Sequence, residues 1–167
     1  MTDNTAWTDS VAAEAGQLTN EQITSWRQRG FTLVHDLLPE TLLQAAARDA
    51  QEHFPAAGSE AALSLTNFGS DQKFVFPADS SACNTITLHP RLLKAVADLL
   101  SVEVGLLRLT QSDLWPKYGR APSDRDYDNH DQRIHCDYPN HSLTHPPQWH
   151  EPDAVEIIIY LSDFDEC

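Results

Sequence analysis

Hydrophobic positions recur at helical spacing through the first hundred residues, and from about residue 103 they alternate or run together. Thr19 and Gln22 have the spacing of a capping box, and Leu18 and Ile23 that of a hydrophobic staple. Ile23 and Trp26 then share a face, and Gly30 offers a left-handed stop, so a first helix is predicted from Thr19 to Gly30. FTLVH (Phe31–His35) predicts a short strand. Pro39 opens a second helix to about Phe54, with Leu42, Leu43, Ala46, Ala50 and Phe54 along one face. Residues 55–72 carry Pro, Gly, Ser and Asn and read as loop, and Lys73–Phe76 reads as a strand. Pro90 opens a third helix whose apolar stripe is Leu92, Leu93, Val96, Leu99 and Leu100.

Beyond it, Glu103–Leu114 alternates and predicts a strand, 116–131 is a charged loop, and QRIHCD predicts a short strand running into a Pro-rich loop. Ala154–Leu161 (AVEIIIYL) is the strongest strand pattern in the chain. Residues 1–17 are polar and Ala-rich without period, which predicts a flexible tail, and a folded unit is expected over 18–167. Helices early and strands late predict an α+β arrangement, with helices packed on one side of an antiparallel sheet.

Charge narrows the partners. The 167 residues hold 11 Lys and Arg against 25 Asp and Glu, a formal net charge of −14. That balance argues against nucleic acid and anionic membrane, both of which require basic surface. No apolar run approaches the ~18 residues of a membrane span, and MTDNTAWTDS has no basic flank or apolar stretch of a secretion signal. Three widely spaced cysteines, Cys83, Cys136 and Cys167, form neither a disulfide framework nor a zinc knuckle. A cytoplasmic protein acting on a small molecule is the expectation.

Five of the eight His fall between positions 130 and 150, and no Lys or Arg follows Arg133. Among these, His135 and Asp137 stand two apart, so on a strand both project from one face and chelate one metal ion while Cys136 points away. A third protein ligand would complete a 2-His-1-carboxylate triad with open positions on Fe(II). A solvated His–Asp ion pair accounts for the same tripeptide. His141, His145 and His150 sit among prolines and read as loop, Trp115 and Trp149 as shielding, and Cys136 as a small buried hydrophobe. The aspartates from 124 to 131 match no calcium loop. No nucleophile elbow, phosphate-binding loop, dinucleotide fingerprint or H-E-x-x-H occurs.

The opening LTNEQITSWRQRGFTLVHDLLP, the segment DQRIHCDYPNHSLTHPPQW and the later AVEIIIYLSD together resemble the phytanoyl-CoA dioxygenase family of Fe(II)/2-oxoglutarate enzymes, over roughly residues 18–167. The resemblance implies N-terminal helices packed on a double-stranded β-helix, a jelly roll of cupin type. It implies that His135 and Asp137 are iron ligands and that Gln111 contacts the cosubstrate 2-oxoglutarate. It implies hydroxylation of a small organic molecule with dioxygen. Related halogenases replace the carboxylate at the Asp137 position by a small residue, so retention of Asp137 favours hydroxylation. The chain departs from the family pattern after Ala154–Leu161, since neither the family's third His ligand nor its Arg for the distal carboxylate is present. A jelly roll incomplete in this chain is therefore expected, with 2-oxoglutarate anchored by a more N-terminal cation or by a second chain or homo-oligomer that completes the barrel.

Two other readings compete. The chain is a non-catalytic binding or regulatory module, or it holds a hydrolytic zinc ion on His135, Asp137 and a later His.

Overall fold

The structure, a computed structural model of the chain, describes residues 17–65, 72–118 and 154–162. Five α-helices are described: α1 (Asn20–Arg29), α2 (Glu40–His53), α3 (Glu60–Leu63), α4 (Ser81–Thr87) and α5 (Pro90–Leu100). Between and after them come two short strands, β1 (Phe74–Val75) and β2 (Asp113–Leu114), paired antiparallel with Phe74 opposite Leu114 and Val75 opposite Asp113. This is mixed helix with a two-stranded antiparallel sheet, compatible with α+β.

The first helix forms as its cap predicts. Gln22 N donates to Thr19 Oγ1 at 3.2 Å and Thr19 N donates to Gln22 Oε1 at 2.9 Å, satisfying two otherwise orphaned amides. Leu18 is buried and Ile23 packs against its cluster, completing the staple. The helix ends where Gly30 turns to φ 82° and donates to Trp26 O at 2.8 Å. In α2 the residue before Glu40 is Pro39, whose fixed φ of −59° directs the chain into the first turn. Pro90 occupies the first turn of α5, capped by the His89 side chain.

Two apolar clusters hold these elements. Leu38, Ala46, Ala82, Ile86 and Leu92 bury one another between α2, α4 and α5, with Ile159 and Leu161 packed on their flank. Leu18, Ala95 and Leu99 form the second, against Ile23, Trp26, Val34 and Val155. Leu37 touches both and makes the core continuous. Burying a leucine such as Leu92 contributes roughly 1.5–3 kcal/mol. Ala46, with no exposed surface, is the point where only a methyl separates helix backbones.

Five elements differ from what the residue pattern predicts. Phe31–His35 forms no strand: the carbonyls of Phe31 and Leu33 accept instead from Ser25 Oγ at 3.1 Å and Gln22 Nε2 at 3.3 Å, so α1 side chains occupy the place of a partner strand. Glu103–Leu114 is not one strand, because a 3₁₀ turn takes Val104–Leu106 and pairing is confined to Asp113–Leu114. Within 55–72 lies α3, capped by Ser59 Oγ on Ala62 N at 3.1 Å. The fourth is α4, which the pattern did not predict. The Ala154–Leu161 segment, predicted as the strongest strand, carries no strand assignment among the described residues, and its burial breaks alternation at Ile157, which is 43% exposed. Val155, Ile159 and Leu161 meet the core while Ile158 is 66% exposed.

Among the described residues no helix is long and apolar enough to cross a membrane.

Candidate functional site

Of the site residues predicted from sequence, His135 and Asp137 lie outside the described residues, as do His141, His145 and His150. Gln111 is described, two residues before β2. The geometry around it follows from the period of two in extended chain. Gln111, Asp113 and Trp115 alternate onto one face of the β2 side, and the pairing of Val75 with Asp113 brings Lys73 across to the same face. Ser112 turns the other way, where its hydroxyl meets Thr87 Oγ1 of α4 at 2.8 Å.

Asp113 is the hub of this ribbon face. Lys73 Nζ donates to Asp113 Oδ2 at 2.6 Å, and Gln111 Nε2 donates to the same oxygen. The Asp113 side chain is 2% exposed and that of Lys73 is 29% exposed, so the carboxylate is enclosed while the ammonium reaches solvent. The Lys73 ammonium also sits 5.7 Å from the centre of the Trp115 ring, within cation–π range. Asp113 Oδ1 is buried and has no hydrogen-bond partner among the described residues. Chemically, the face offers a Lys–Asp ion pair, a primary amide and an indole side by side, with the ammonium on the solvent side.

Other polar groups are structural. His53, at the end of α2, donates from Nε2 to Gln72 O at 2.6 Å and stacks on Phe74, on the opposite side of the ribbon. Burial pushes the Cys83 thiol above its ordinary range, opposed by its hydrogen bond to Ser80 and reinforced by the nearby Asp49 charge. A shallow depression of about 430 Å³ is lined by Thr19, Gln22, Ser25, Arg29, Phe31 and Leu33 and shares no residue with the ribbon face. Among the described residues no three His, Cys, Asp or Glu side chains come together as a metal site.

Sequence reasoning missed Lys73 and Asp113 as members of the site. A signal was present: Gln111, Asp113 and Trp115 stand at i, i+2 and i+4, the mark of one strand face. Lys73 could not be placed beside them, because the register of β1 on β2 is a long-range property.

No family model matches the chain, and the searches of curated proteins and of solved structures also return no match.

Proposed function

We propose that the chain belongs to the Fe(II)/2-oxoglutarate-dependent oxygenases and hydroxylates a small organic molecule on a jelly roll. The reading rests on the H-x-D pair in the family-like segment around it. What supports it in the structure is the company that Gln111 keeps. A site for 2-oxoglutarate needs a cation, and Lys73 stands on the same ribbon face as Gln111 through a shared carboxylate.

His135 and Asp137 would hold the iron. One imidazole and one carboxylate are the donor types that suit Fe(II), and two ligands leave positions open for a cosubstrate. When bound, the metal supplies the oxidising chemistry that couples C–H hydroxylation to decarboxylation of 2-oxoglutarate to succinate. The chain's own residues do the rest. Lys73 orients one carboxylate through the ammonium donors that Asp113 leaves free. Gln111 adds an amide N–H, and Trp115 lends an apolar wall that strengthens both by thinning the water around them. The reading is tested by replacing His135 or Asp137 with Ala in a preparation that turns over 2-oxoglutarate. Loss of succinate formation is expected, and unchanged turnover overturns the assignment.

A second reading has one observation in its favour. Ala154–Leu161 exposes Ile157 and Ile158 and carries no strand assignment among the described residues, which suits a binding module or a chain that completes its sheet with another. Mass measurement separates the two: a metal-free folded monomer favours the module, a dimer favours a shared site.

A further inference from the structure

We infer that Asp113 is a positioning residue, whose task is to fix Lys73 and Gln111 in the orientation in which they meet a ligand. The ligand arm of this inference rests on the function proposed above, and the positioning arm does not.

A buried carboxylate with one unsatisfied oxygen requires an explanation, because buried polar groups are nearly always paired. Asp113 spends Oδ2 on two donors and leaves Oδ1 with none among the described residues. Both donors converge on one oxygen, and each comes from a long side chain that reaches outward. Lys73 has a flexible four-carbon stem and Gln111 is exposed, so neither would keep a single rotamer without a tether.

The tether also sets polarity. An ionised carboxylate only accepts, so the Gln111 amide must turn its NH₂ toward Asp113, leaving Oε1 and the second N–H facing out. Lys73 has three donors and gives one to Asp113, while the Trp115 ring limits the directions open to the others. Asp113 thereby converts two mobile groups, one preceding each strand, into one fixed recognition face.

The test uses the full chain with ¹⁵N-labelled tryptophan indoles, with the Trp115 signal assigned by W115F. In Asp113→Asn the Trp115 indole signal should move, because the ammonium is released from its place over the ring. The Trp26 signal in α1 should stay, and Asp113→Glu should restore part of the shift. Anaerobic binding of 2-oxoglutarate with Fe(II) should weaken about tenfold or more in Asp113→Asn. Lys73→Gln should weaken it similarly, and the double variant no further, since the two act as a unit. A folded Asp113→Asn with Trp115 unmoved overturns the inference, as does additivity in the double variant. Should the wild-type chain bind no 2-oxoglutarate, the function proposed above fails while the indole measurement still decides the role of Asp113. Should Asp113→Asn not fold, the wild-type chain decides it by salt: a buried tether keeps the Trp115 signal constant up to about 1 M NaCl, and a signal that drifts with salt overturns the tether.

Discussion

Ser80 Oγ donates to Asp49 Oδ2 at 2.6 Å and accepts from Cys83 N at 3.0 Å, so one buried hydroxyl both caps α4 and ties it to α2. Ser80→Ala removes the cap and strips a half-buried carboxylate of its donor at once. A loss of about 2 kcal/mol is expected by denaturant melts. Asp49→Asn keeps an acceptor and should cost about 1 kcal/mol or less.

Gly30 and Gly105 make a matched pair for testing backbone cost. A Cβ at either would meet nothing within 4 Å, but only Gly30 has positive φ, at +82°. Gly30→Ala should destabilise by about 1 kcal/mol through left-handed strain alone. Gly105→Ala should fall within about 0.5 kcal/mol of wild type.

How much of this fold was legible depends on where the information lies. The start and stop of α1 are local: Thr19, Gln22 and Gly30 are within one helix of each other, and each did what its chemistry predicts. The same holds for Pro39 before α2 and Pro90 in α5. The sequence of α4, SACNTIT, hides its helix, since β-branched Thr85, Ile86 and Thr87 favour strand. Tertiary contacts override that preference. Asn84 clamps Ala78 through both amide atoms, at 2.8 and 2.7 Å, and Ala82 and Ile86 are buried in the core. Phe31–His35 failed in the opposite sense, since its strand propensity was right for burial alternation but its carbonyls went to α1. On the ribbon face, the grouping of Lys73 with Gln111 and Asp113 needed the register of β1 on β2, which no local pattern carries.

Two neighbours in Ala154–Leu161 give a sharp mutational contrast. Ile159 packs on the core beside Leu161, and Ile158 is 66% exposed. Ile159→Ala should cost about 2 kcal/mol, and Ile158→Ala no more than about 0.5 kcal/mol. Equal costs would mean that the segment does not lie on the core in this register.

Cys83 makes stability depend on alkaline pH. Burial holds its thiol above the ordinary 9.0, so the folded chain keeps a proton that the unfolded chain gives up. The contribution is therefore complete below pH 9.0 and is lost as pH rises through the higher folded value. Cys83→Ala should flatten the stability–pH curve in that alkaline window and leave its slope at neutral pH unchanged. Thiol labelling read by peptide mass should find Cys83 slow at neutral pH in the folded chain and fast in urea.

The most direct measurement of the proposed function is an anaerobic titration of the purified chain with Fe(II) and 2-oxoglutarate, followed by visible absorption. A charge-transfer band that saturates at one equivalent, and that disappears in His135→Ala and Asp137→Ala, is the predicted result. Folded protein that develops no band at saturating metal and cosubstrate, at concentrations where any self-assembly would be complete, would contradict it.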